Sequence, residues 1–212
     1  REHALLLKSR FRAVTLSDVL AADTSKDRRP IVALTVDDGY EDFYRFAYPV
    51  LRELDVPATI FVTTGFIDGK LHLWPDEVHA LLQHADAGTK ELGGIWQGMR
   101  ITLGSKQERE RAWHQLADQL VYAPQFTRAQ GIADLEKSLG LKISSLDMSP
   151  YAPMSWTQVR ELHDAGFEIG DHTYSHPCLA LLEGADLERE IQTSKALLEA
   201  KLGTPVRSFA YP

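Results

Sequence analysis

Residues 31–39 read Ile31–Val32–Ala33–Leu34–Thr35–Val36–Asp37–Asp38–Gly39. Its first six residues, apolar or β-branched without a break, predict a strand buried on both faces, and such runs belong to parallel sheets covered by helices. Asp37 and Asp38 end the run, and Gly39 permits a sharp turn. Two adjacent carboxylates inside a regular strand would point to opposite faces. At a strand end, ahead of a glycine, both can converge on one point above the sheet. The same trio also suits a solvated turn or the N-cap of a following helix, and taken alone it does not choose.

Outward from this stretch the chain alternates. Phe43, Phe46, Ala47, Val50, Leu51 and Leu54 mark one apolar helix face, interrupted by Pro49. Pro57 ends it, and residues 58–63 (Ala58–Thr59–Ile60–Phe61–Val62–Thr63) form a second buried-strand candidate. Strand, helix and strand make a βαβ unit, so the expectation is an α/β fold whose sites lie at strand C-termini. Upstream, Leu5–Leu6–Leu7 up to Phe11, then Leu16 with Val19–Leu20, predict a short helix, an extended piece and a second short helix.

From about Gly69 to Pro150 the strand rhythm is lost. Three amphipathic helices are expected there, one through Val78, Leu81, Leu82 and Ala85, one through Trp113, Leu116 and Leu120, and one through Ile132, Leu135 and Leu139, closed by Gly140. No Gly/Ser/Pro-rich linker flanks the segment, so it reads as a helical insertion on one end of the sheet, within a single domain over residues 1–212. Beyond it, Ser155 caps a helix carrying Trp156, Val159 and Leu162. Phe167–Glu168–Ile169–Gly170 is a short strand leading into Asp171–His172–Thr173–Tyr174–Ser175–His176. Leu187, Ile191, Leu198 and Leu202 give a long helix stopped by Gly203, and Val206 begins another strand.

The 23 Lys+Arg against 30 Asp+Glu leave a net charge of −7, with no basic cluster, which excludes a partner held through a phosphate backbone. The single cysteine, Cys178, excludes an intrachain disulfide and reads as a small buried hydrophobe. No apolar run approaches the ~20 residues that span a bilayer. The chain opens on Arg1 with no leader, which leaves both ends to be read as cuts and the localisation and oligomeric state open.

His172 and His176 stand four apart. On a helix that spacing puts both rings on one face, but Gly170 before, Pro177 after and Thr173–Tyr174–Ser175 between predict a loop at a strand end. Together with Asp38 they make an N, N, O donor set with room for a water, the pattern of a catalytic rather than structural zinc site; a pair of surface histidines is the other reading. Arg207, on the last strand, is placed to pair with Asp37 and keep it ionised, or is a surface arginine. Tyr40, beside the carboxylates, and Tyr211 are the substrate-binding candidates. Trp74 and Trp96 read as packing residues ahead of ligand-stacking ones, and His79, His84, His114 and His163 fall on predicted helices as solvated or structural groups.

Three segments, Thr35–Val36–Asp37–Asp38–Gly39, His172–Thr173–x–x–His176 and Arg207–Ser208–Phe209–Ala210–Tyr211–Pro212, occur in order, and together they resemble the first three motifs of the polysaccharide deacetylase family, also called NodB-homology or carbohydrate esterase family 4. The resemblance covers most of the chain outside the insertion. It implies a distorted (β/α) barrel of about seven strands, incomplete at the C-terminus here, that uses a divalent metal to remove acetyl groups from N- or O-acetylated glycans. Zinc is the first expectation, with cobalt, nickel or manganese behind it. It further implies Asp37 as general base, Asp38, His172 and His176 as metal ligands, Arg207 orienting Asp37, and Thr173 bracing the histidine loop. The family's remaining oxyanion donor and general acid are expected beyond Pro212. The rival reading is an inactive metal- or sugar-binding module; a glycosidase carboxylate pair ranks last, because adjacent residues rarely reach the ~5–9 Å opposed geometry it needs.

Overall fold

In the computed structural model, which describes residues 1–19 and 27–212, the chain begins with helix α1 (Glu2–Arg10) and strand β1 (Arg12–Val14). The second short helix expected next is a turn over residues 16–19, and Leu20 lies outside the described residues. Competing acceptors explain the difference: Leu16 N–H donates to Thr59 Oγ1 at 2.9 Å and Ser17 N–H to the Glu168 carboxylate at 3.0 Å. Strands β2 (Ile31–Ala33) and β3 (Thr35–Val36) follow, then a π-helical turn over Phe43–Ala47, helix α2 (Tyr48–Glu53), strand β4 (Thr59–Val62) and the short helix α3 (Thr64–Ile67). Next come α4 (Trp74–His84), β5 (Thr89–Glu91), β6 (Arg100–Thr102), α5 (Lys106–Leu120) and α6 (Gln125–Leu139). The chain closes with α7 (Trp156–Asp164), β7 (Glu168–Asp171) and α8 (Gly184–Leu202).

The chain divides into two compact units, one made of residues 1–71, 152–176 and 183–212, the other of 72–151 and 177–182. In the first, β4 is the centre of a parallel sheet, with β3 on one edge and β7 on the other, and every residue of β4 is buried. The single doubly buried strand expected over residues 31–36 is corrected. β2 pairs with β1 and β3 with β4, so the run breaks at Leu34 where it changes partners, and its residues are half-buried or, at Thr35, exposed. The helix after β3 is corrected as well. Tyr48 N–H donates to the Phe43 carbonyl, a five-residue step in place of four, so the face is rotated and Phe46 stands 73% exposed while Phe43, Tyr48 and Leu51 are buried. Such a bulge also accommodates Pro49, which has no N–H to give.

Ile60, Val62, Met154, Val159, Leu162, Ile169 and Leu198 form the core of this unit. α7 starts on a full capping box, in which Ser155 and Gln158 satisfy each other's backbone N–H groups, and α8 ends at Gly203 in the left-handed region. The last segment joins β7 by a parallel bridge, Asp171 to Phe209. The second unit has its own core, around Leu81, Leu82, Ile101, Leu103, Leu116, Leu120 and Leu135. Trp96 is buried there, and Trp74 lies 5.1 Å from the Arg128 guanidinium. It also holds an antiparallel pair, β5 with β6, in a segment expected to be helical throughout. Cys178, expected to be buried, is half-buried. Among the described residues, no helix is long and apolar enough to cross a membrane.

Candidate metal centre

Strand register brings the motifs together. Val36 pairs with Ile60, which sets Asp38 two residues on at the level of Val62, and Val62 pairs with Asp171. Asp38 and His172 therefore leave the strands on either side of β4 at the same end of the sheet, the C-terminal end. Thr63 ties them together: its N–H donates to the Asp38 carbonyl at 3.1 Å and its hydroxyl to the His172 carbonyl at 3.1 Å. Asp38 itself has φ 73, and Gly39 follows at φ 97. A Cβ on Gly39 would lie 2.8 Å from Ile67 Cδ1, so the turn that redirects the two carboxylates requires glycine.

His172 is buried, and its Nδ1 lies 3.0 Å from the Ala210 carbonyl. A proton on Nδ1 makes this a donated bond and leaves the Nε2 lone pair free to face Asp38. His172 Nε2 and His176 Nε2 stand 3.4 and 3.2 Å from the same carboxylate oxygen, Asp38 Oδ1. One donor atom from each of the three residues lies within 4.8 Å of the others. Asp38 Oδ1 and His176 Nδ1 are nonetheless buried with no hydrogen-bond partner. Three donors gathered around one point, with a buried carboxylate oxygen left unsatisfied, fit a divalent cation better than a hydrogen-bonded cluster. Burial works against the Asp38 carboxylate, but the two imidazoles outweigh it and hold its pKa far below the usual carboxylate range. Burial likewise opposes protonation of His172, and Asp38, the Ala210 carbonyl and the charge of Asp37 more than offset it, raising the pKa.

Asp37 is exposed at the rim, its carbonyl accepting the Gly39 N–H at 2.9 Å. Thr173 Oγ1 accepts the His176 N–H at 3.1 Å, a side-chain bond that closes the histidine loop. Tyr40 is half-buried and packs edge-on against Phe66, and Tyr211 is 78% exposed. Among the described residues Arg207 and Asp37 form no ion pair. The Asp171–Phe209 bridge sets Arg207 level with Ile169, two residues (about 7 Å) back along the sheet. There it is exposed and lines a 260 Å³ cavity with Ser17, His163 and Glu168. Residue reading missed Asp171, Glu190 and Ser194, whose side chains bind the histidine loop from below and beside it. Asp171 adjoins His172 and could have been singled out; Glu190 and Ser194 carry no local signal.

A polysaccharide deacetylase family profile matches residues 24–90 and 123–212. The chain belongs to the polysaccharide deacetylase family. Over 63 residues, 28% of this chain, it is 40% identical to YxkH of Bacillus subtilis (strain 168), which carries a polysaccharide deacetylase name. Two solved structures share its α/β fold. The Streptococcus pyogenes deacetylase PplD, in complex with acetate, aligns with a TM-score of 0.55 at 19% identity over 99% of this chain. IcaB from Ammonifex degensii aligns at 0.51 and 20% identity over 100% of it. The chain spans 59% and 63% of those two proteins and 23% of YxkH. The family match skips residues 91–122, all of them inside the second unit.

Proposed function

We propose that this chain carries the catalytic centre of a metal-dependent deacetylase that hydrolyses the acetamide of an N-acetylated glycan, with an O-acetyl ester as the alternative bond. The observation that supports it best is the meeting of Asp38, His172 and His176 at the C-terminal end of a parallel sheet, beside an exposed Asp37. Asp38, His172 and His176 are the groups that would hold the cation, with zinc first for an N, N, O set and cobalt, nickel or manganese behind it. When bound there, it supplies Lewis acidity toward a water and an acyl carbonyl. Asp37 takes the proton of the attacking water on its carboxylate. With three carboxylate and imidazole donors already assigned, Asp37 is the group at the rim with no competing role. Tyr40 and Tyr211 offer ring faces for the sugar, and the acetate bound by PplD matches the product of such a reaction.

In this reading the sheet is part of a distorted (β/α) barrel, and residues 72–151 are an insertion within one catalytic domain, which the gap in the family match supports. Arg207 and Asp37, both exposed, form no ion pair among the described residues. That departure favours, as a second reading, a module that binds metal or glycan without turnover. One experiment separates the two: acetate release from acetylated chito- and xylo-oligosaccharides, before and after chelation and zinc restoration. Release that stops on chelation and returns with zinc carries the deacetylase reading. Zinc binding without release carries the second, and release indifferent to chelator sinks both.

A further inference from the structure

Two non-glycine residues of the histidine loop lie in the left-handed region, Thr173 at φ 69 and His176 at φ 58. Each such position costs on the order of 1–3 kcal/mol and persists where its surroundings fix it. The backbone donors of the loop show what fixes this one. Thr173 N–H donates to Asp171 Oδ1 at 3.1 Å, and His176 N–H to Thr173 Oγ1 at 3.1 Å, both inside the loop. The two N–H groups between them go to a single carboxylate on α8. Glu190 Oε2 accepts from Tyr174 at 3.1 Å and from Ser175 at 2.8 Å, and Oε1 accepts the Ser175 hydroxyl at 2.6 Å. Tyr174 N–H also lies 3.2 Å from the Glu190 backbone carbonyl, so the grip on Ser175 is the part owed wholly to the side chain.

One turn along the same helix face, Ser194 donates to Asp171 and accepts the Thr64 hydroxyl at 3.0 Å. The loop is thus held at its root by Ser194 and at its crest by Glu190. At the crest one carboxylate gathers three donors, two of them backbone N–H groups, so the conformation there depends on that single side chain. The crest is also the part next to His176, whose ring is otherwise tied to the protein by Asp38 and the imidazole of His172.

We propose that Glu190 is a positioning residue for the metal centre: through Tyr174 and Ser175 it sets His176 against Asp38 and His172, and so sets the affinity for the cation. The inference rests on reading those three residues as metal ligands. It is tested on the full chain by titrating zinc against a chromophoric chelator and recording the cobalt d–d spectrum of reloaded protein, for wild type, Glu190→Gln, Ser175→Ala and Glu188→Gln. Glu188 is exposed on the same helix and controls for the lost charge. Glu190→Gln weakens zinc binding by about 10–100-fold and changes the cobalt bands, as loss of a group orienting a ligand does. Ser175→Ala moves both readouts the same way by less, and Glu188→Gln moves neither. Wild-type affinity and spectrum in Glu190→Gln overturn the inference alone. If that variant does not fold, Ser175→Ala decides, and wild-type behaviour there overturns it. A wild-type chain that binds no zinc overturns the ligand reading and this inference together.

Discussion

Asp37 and Asp38 are neighbours in the chain and opposites in environment. Asp38 is turned inward at φ 73, its Oδ1 buried between two imidazoles, whereas Asp37 stays exposed. That split makes their roles separable by substitution. Asp38→Asn keeps the shape but replaces a charged donor by a neutral amide, so it costs most of the zinc affinity. Asp37→Asn leaves the three donors in place; zinc binding stays within about threefold of wild type, while kcat for acetate release falls by 10²–10⁴, the range carried by a positioned base. Steady-state kinetics at saturating zinc, alongside chelator titration, read the two effects independently. Equal loss of affinity in both variants would show that Asp37 is a ligand and that the division of labour is wrong. The neighbouring glycine cannot be exchanged to probe the turn gently, since a Cβ there meets Ile67 and Val62.

At the scale of elements, α4 carries an ionisable group that the fold does not satisfy. Glu77, in its first turn, lies near Asp76 and Glu136, and its pKa is pushed from an ordinary 4.5 up to about 7, first by burial and then by those two carboxylates. A helix N-terminus favours a negative charge, but by only ~0.3–1 kcal/mol, which burial exceeds. Between pH 4.5 and 7 the folded chain therefore holds a proton that the unfolded chain has released. Stability is full below about 4.5 and falls as pH rises to about 7, by on the order of 2–3 kcal/mol. Denaturant unfolding of wild type against Glu77→Gln across pH 4.5–8 checks this: the curves meet at the acid end and the variant is the more stable at the neutral end. A constant gap at every pH would rule it out. The helices were legible in the sequence because their signals are local: apolar residues at helical spacing, Ser155 with Gln158 at one end, Gly140 and Gly203 at others. The break at Leu34 was hidden, because it depends on which strands flank each half. So was the β5–β6 pair, whose Thr89–Lys90–Glu91 and Arg100–Ile101–Thr102 are mostly exposed and show no apolar alternation. Motif order announced Asp38, His172 and His176, whereas Glu190 and Ser194 look like any polar helix residues until α8 is seen beside the loop. For Arg207, the Asp171–Phe209 bridge sets it level with Ile169, back from the strand ends, a register that no local pattern announces.

For the whole molecule, the consequence of the site lies in what it connects. Asp38 follows β3 and the histidines follow β7, segments far apart in the chain that meet across β4 in the first unit, while the second unit contributes none of the three. A cation held there closes a long loop that the unfolded chain leaves open, and unfolded chain has no preformed site to compete for it. Binding to the folded state alone adds RT ln(1 + [L]/Kd), about 2.7 kcal/mol at a hundredfold excess over Kd. For a unit of this size that corresponds to a rise in Tm on the order of 5–10 °C. Scanning calorimetry of wild type with and without zinc therefore shows a rise in Tm, and Asp38→Asn, which keeps every core residue, shows none. An equal shift in Asp38→Asn would place the stabilising cation elsewhere on the protein and remove the physical basis for a centre built from β3 and β7.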